Sequence, residues 1–127
     1  MTVADTDVLI DYLHGIEPAA GQIARGIERR SMVTTVINRF ELLSGVTGER
    51  ERRLVHELLA ALPALVFDLA AADRAAEVRR ALQRAGAPIG MGDSLIAGIL
   101  LAHGGELLTR NHRHFTRVPG LRLAARE

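Results

Sequence analysis

The chain contains no cysteine and no lysine. Without cysteine, disulfides and thiolate metal sites are excluded, a composition that fits a reducing cytosol. Without lysine, all 16 basic residues are arginine. That closes functions that need a lysine ammonium. A receiver domain of two-component signalling, a haloacid-dehalogenase-type phosphatase and a P-loop are each excluded on this ground. A receiver domain also needs a mid-chain phospho-accepting aspartate, and none stands between Asp11 and Asp68. The five histidines lack zinc-ligand spacing: His112 and His114 are two apart and no HExxH occurs. No apolar run is long enough to span a membrane, and the N-terminus lacks a basic region followed by an apolar one. The expectation is a cytoplasmic protein with no membrane association.

What is present is ordinary for a globular protein. The 127 residues are 48% hydrophobic and 24% charged, which predicts one domain over 1–127 that buries about two thirds of its unfolded surface. Net charge is +1, but its distribution is uneven. From His103 onward there are five arginines, at 110, 113, 117, 122 and 126, against Glu106 and Glu127. Arginine suits bidentate contact with phosphate, although a solvated arginine-rich face is an equal reading of the same run.

Apolar periodicity predicts alternating strands and helices. Val3 and Ala4 open a short strand ending near Asp5, and a helix runs from Asp7 to a stop at Gly15. Pro18 starts a second helix. Ser31–Thr35 is a second strand, followed by helices over 36–46 and 49–62, the latter stopped by Pro63. Leu65–Phe67 is a third strand, Ala70–Ala85 a helix ended by Gly86, and Asp93–His103 a nearly all-apolar helix buried on most sides. Glu106–Thr109 is a fourth strand and Leu121–Ala124 a fifth. The alternation implies an α/β protein: a mainly parallel central sheet of four to five strands between helical layers. In such sheets, sites form at the carboxyl ends of strands, which places Asp5 and the Thr109-Arg110-Asn111 run at one edge.

The stretch VADTDVLID sets three aspartates among core-like residues. Asp7 reads as a helix cap or dipole partner, and Asp11 as solvent-facing or paired with an arginine. Glu41 lies inside a helix beside Ile37, Phe40, Leu42 and Gly45. A carboxylate there needs a pairing group, a hydrogen bond or a metal, and any partner must be non-local. Asp93, taken alone, reads as an N-cap. Taken together, Asp5, Glu41 and Asp93 would repel one another if packed closely, and a hard divalent cation such as Mg²⁺ or Mn²⁺ removes that conflict. Thr6 and Thr109 are placed to orient a carboxylate or water, or simply to satisfy a strand end.

Four segments in order, VADTDVLIDYL, TTVINRFELLSGV, IGMGDSLIAGILLAHGGELLTRN and HFTRVPGLRL, resemble PIN-domain ribonucleases, and among them the VapC toxins of bacterial toxin–antitoxin pairs. The resemblance runs from residue 3 to about 123. It implies a compact α/β/α PIN domain with metal-dependent endoribonuclease activity on RNA, leaving a 5′-phosphate and a 3′-hydroxyl. By position, Asp5, Glu41 and Asp93 match the family acids that hold Mg²⁺ or Mn²⁺, and Asn111 a fourth, often acidic, position. His114 stands where many relatives carry an aspartate. Thr6 and Thr109 match supporting threonines. The two departures, Asn111 and His114, imply one firmly held ion, and they favour as an alternative a catalytically impaired binding module on the same fold. Arg110, Arg113 and Arg117 are expected to guide the RNA backbone. The resemblance further implies a cognate VapB-like antitoxin whose tail crosses the active-site groove, and a homodimer. The apolar surface of residues 36–62 suits such an interface.

Overall fold

The computed structural model describes residues 1–127. Five short strands, β1 (Thr2–Ala4), β2 (Met32–Thr35), β3 (Ala64–Leu65), β4 (Glu106–Leu108) and β5 (Arg122–Leu123), form one sheet in the order β3-β2-β1-β4-β5. Every pairing is parallel. The sheet is therefore wholly parallel, as expected of strands joined by helical crossovers. The helices are α1 (Thr6–Leu13), α2 (Ala19–Glu28), α3 (Val36–Gly45), α4 (Glu49–Ala60), α5 (Leu69–Arg84), α6 (Met91–His103) and α7 (His112–Phe115).

Strand alternation sorts side chains into two apolar layers. Ala4, Met32 and Leu108 face a cluster with Val8, Leu9, Ile23, Leu42, Val55 and Leu59. Val3 and Leu107 point the other way, against Ala71, Ile96, Ile99, Leu100 and Phe115. Helices α1, α2 and α4 thus cover one face and α5, α6 and α7 the other. A sheet buried on both sides explains why its strands are so apolar. Most of the 36–62 apolar surface is spent on this core: Val55, Leu58 and Leu59 are buried, leaving Phe40 and Leu54 exposed. No helix is long and apolar enough to cross a membrane.

Several boundaries differ from the sequence expectation, and two matter. Helix α1 begins at Thr6 with Asp5 as its N-cap, so Asp7 falls inside the first turn and is not the cap. Helix α6 begins at Met91, with Gly90 at the N-cap in an extended conformation (φ −63°, ψ 161°). Asp93 is therefore the third helical residue, and its side chain is released from capping duty. The one-turn helix α7 was not expected at all. Four residues are too few for a periodic signal, and its anchor is a single side chain, Phe115, which is fully buried.

Candidate active site

Strand order reverses beside β1: β2 and β3 lie on one side of it, β4 and β5 on the other. The carboxyl ends of β1 and β4 flank that switch point, where open parallel sheets leave a crevice. Asp5 follows β1 and Thr109 follows β4, and both are buried. Asp5 Oδ1 accepts from the Thr6 N–H at 2.9 Å and from Asn38 Nδ2 at 2.8 Å. Asp5 Oδ2 accepts from Thr109 Oγ1 at 2.7 Å. A carboxylate oxygen has two acceptor sites, so Oδ2 keeps one for a ligand. Burial pushes the Asp5 carboxyl up to about 6, opposed by the Thr109 hydroxyl and the Thr6 N–H and reinforced by the charges of Asp7 and Asp93.

Asn38 belongs to the same hydrogen-bonded cluster, and the sequence reading did not pick it out. It is fully buried. Thr35 caps α3, its Oγ1 accepting from the Ile37 and Asn38 N–H groups at 3.2 Å each. The same hydroxyl donates to Asn38 Oδ1 at 2.7 Å, which turns the Asn38 NH₂ toward Asp5 and toward Thr6 Oγ1 at 2.9 Å. Thr6 Oγ1 in turn donates to Glu41 Oε1 at 2.6 Å. The non-local partner that Glu41 requires is thus a threonine hydroxyl. A chain Thr35–Asn38–Thr6–Glu41 links strand-end and helix acids. The threonine-x-x-asparagine spacing at a helix start was the available signal.

Glu41 also reaches helix α6: a Cβ built on Gly92 would lie 3.2 Å from Glu41 Oε2. One residue on, Asp93 Oδ2 accepts from Asn111 Nδ2 at 3.1 Å and lies 3.4 Å from His114 Nδ1. Asn111 itself is tied back to Asp5 through Thr109, whose Oγ1 accepts from the Asn111 N–H at 3.0 Å. Asp7 ties down the same loop, its Oδ2 accepting from the Arg110 N–H at 3.0 Å. Its Oδ1 is buried without a partner. Asp11 pairs with Arg110 Nε at 3.1 Å. Arg117 donates to the Pro88 carbonyl at 3.0 Å, while the Arg113 side chain is exposed.

The donors are the kind a hard cation takes, carboxylate oxygens, with a buried carboxyl held above its ordinary range partly by its acidic neighbours. An orphaned carboxylate oxygen on Asp7 adds to the uncompensated negative charge. The set is not already gathered, since no three His, Asp or Glu side chains stand together as a ready metal cluster. Thr6 holds Glu41 and Asn111 holds Asp93 in its place.

Residues 2–121 match the PIN domain family. The tRNA(fMet)-specific endonuclease VapC of Shigella flexneri is 30% identical over 122 residues, covering 93% of this chain and 92% of that protein. Ribonuclease VapC19 of Mycobacterium tuberculosis is 34% identical over 125 residues, covering 95% and 97%. Among solved structures, the crystal structure of DNA-bound VapBC from Salmonella typhimurium superposes with a TM-score of 0.85 at 27% identity, covering 97% of this chain and 96% of that one. With the match extending over nearly its whole length, this chain belongs to the PIN-domain family, in its VapC branch.

Proposed function

We propose that this chain is a divalent-metal-dependent endoribonuclease that acts as the toxin of a toxin–antitoxin pair. The observation that carries the reading is Asp5. It is an acid buried at the switch point of a parallel sheet, held by three donors and still pushed up to about 6. Asp5 and Asp93, with Glu41, are the residues that would hold Mg²⁺ or Mn²⁺. Bound there, such an ion neutralises charge on an RNA phosphodiester and acidifies a water for in-line attack. Asn38 and Thr109 fix the Asp5 carboxylate, and Thr6 fixes Glu41. The Asn111 amide, beside Asp93, orients water. Arg110, Arg113 and Arg117 lie just before, on and just after α7 and would pair with the RNA backbone. The products expected are a 5′-phosphate and a 3′-hydroxyl.

The names of its relatives support a nuclease acting on RNA, and a VapB-like antitoxin is supported by the likeness to a solved VapBC complex. A groove of about 410 Å³ also supports it, because its apolar floor of Ile10, Leu13, Leu42, Leu54 and Val55 runs up to Glu41. An apolar segment lying there would cover one of the site's acids. Homodimerisation and a cytoplasmic setting belong to the same reading.

The test is cleavage of a structured RNA by the purified protein with Mn²⁺, with EDTA, and with Asp93→Asn, followed by mapping of the cut ends. Cleavage only by the unaltered chain with metal supports the proposal. Equal cleavage in all three samples overturns the mechanism. No cleavage together with no Mn²⁺ binding in calorimetry favours the impaired binding module instead.

A further inference from the structure

One nitrogen interrupts the otherwise oxygen-based site. Helix α7 is pinned by the buried Phe115, and that single turn sets His114 beside Asp93. Asn111 Nδ2 lies 3.1 Å from Asp93 Oδ2 and 3.0 Å from His114 Nδ1. An amide nitrogen carries two hydrogens and accepts none, so the imidazole nitrogen facing it presents its lone pair. One positively polarised NH₂ group therefore donates to two acceptors at once. Those acceptors, Asp93 Oδ2 and His114 Nδ1, are 3.4 Å apart. Adjacent ligands of an octahedral ion, each about 2.0–2.3 Å from the metal, are separated by roughly 3 Å. The pair thus has close to the spacing of neighbouring ligands on one cation, with the Asn111 amide taking the cation's electrostatic part.

We infer that His114 is a ligand, through Nδ1, of the same cation that Asp93 holds, and that it biases the site toward Mn²⁺ or Co²⁺ over Mg²⁺. The inference rests on the metal-dependent reading above. Its chemistry is simple. Mg²⁺ takes oxygen and binds imidazole poorly, whereas divalent ions further along the first row accept imidazole increasingly well. The His114 side chain is 40% exposed, which leaves it room to rotate onto an ion without unfolding α7.

The deciding measurement is spectroscopic. Pulsed paramagnetic resonance of the Mn²⁺-loaded protein should show coupling to a ¹⁴N nucleus from a directly bound imidazole. In His114→Asp, which restores an oxygen, that coupling should vanish. By calorimetry, the preference for Mn²⁺ over Mg²⁺ should be about 10- to 100-fold greater in the unaltered chain than in His114→Asp. If Mn²⁺ binds, and binding is abolished by Asp5→Asn, yet no nitrogen coupling is seen and the preference is the same in both proteins, the inference fails while the nuclease reading stands. If no Mn²⁺ binds at all, both fail.

Discussion

Asn38 Nδ2 sits 2.8 Å from Asp5 Oδ1 and 2.9 Å from Thr6 Oγ1, so one fully buried amide orients two groups of the site at once. Its own carbonyl is held by the Thr35 hydroxyl at 2.7 Å. Replacing it with Leu, of similar volume, leaves Asp5 with one donor fewer on Oδ1 and Thr35 without its acceptor. A buried polar group left unpaired costs about 1–3 kcal/mol. Asn38→Leu should therefore lower Tm by roughly 5–10 °C and weaken Mn²⁺ binding. A melting temperature within 2 °C or so of the parent would show that the network contributes nothing to stability.

Gly92 gives a sharper separation of stability from function. An alanine Cβ there would stand 3.2 Å from Glu41 Oε2, tight enough to displace the end of that flexible side chain. Alanine is the better helix former by up to about 1 kcal/mol. Gly92→Ala should hence keep or slightly raise Tm while RNA cleavage falls about tenfold. Unchanged cleavage, measured at fixed Mn²⁺, would remove Glu41 from the site.

The polar residues just past the strand ends were legible because the apolar strand residues before them and the α/β alternation are both local patterns. Asp5, Thr109 and Asn111 follow directly from strand endings. Asn38 had only its spacing from Thr35 to mark it, since a neutral amide in a helix looks the same whether it faces water or a buried carboxylate. Asp93, taken alone, read as a cap because aspartate and serine favour helix starts, and only its grouping with Asp5 and Glu41 made it a site residue; the turn in fact begins two residues earlier at Met91. The closeness of His114 to Asp93 comes from α7, a single turn that exists because Phe115 finds a place in the core. Such information is tertiary, and spacing alone does not carry it.

The three arginines should behave differently. Arg113 is exposed, so Arg113→Ala should leave Tm unchanged, weaken RNA binding and reduce its salt slope by about 1. Arg110→Ala also strips the partner from Asp11, which is buried. Stability should fall along with affinity. Arg117→Ala breaks a bond to the Pro88 carbonyl and should act mainly on the loop before α6. Titrating labelled RNA at several salt concentrations resolves the three, and an identical slope for Arg113→Ala would take that residue off the RNA path.

Asp5 contributes a pH dependence to the metal-free protein. Its carboxyl is raised from an ordinary 3.8 to about 6, first of all by burial. The native state therefore holds the proton more tightly than the unfolded chain. Stability linked to this group is fully present below about pH 4 and is lost as pH rises through about 6. The gap corresponds to about 3 kcal/mol on the alkaline side. Asp5→Asn removes that cost. Its carbonyl can keep the Thr6 N–H and Asn38 contacts, and its new NH₂ can donate to Thr109, whose hydroxyl has the lone pairs to accept it. In EDTA the variant should thus be the more stable protein at about pH 8 and gain little at about pH 4, although it cleaves no RNA. Metal works in the opposite sense to the proton, because only the ionised carboxyl binds it, so added Mn²⁺ should stabilise the parent at pH 8 and lose this effect below about pH 6. Unfolding curves of both proteins across this range, with and without Mn²⁺, measure the difference. A difference that does not change with pH would mean that the buried carboxyl carries no ionisation cost, and the argument for a cation at Asp5 would lose its electrostatic basis.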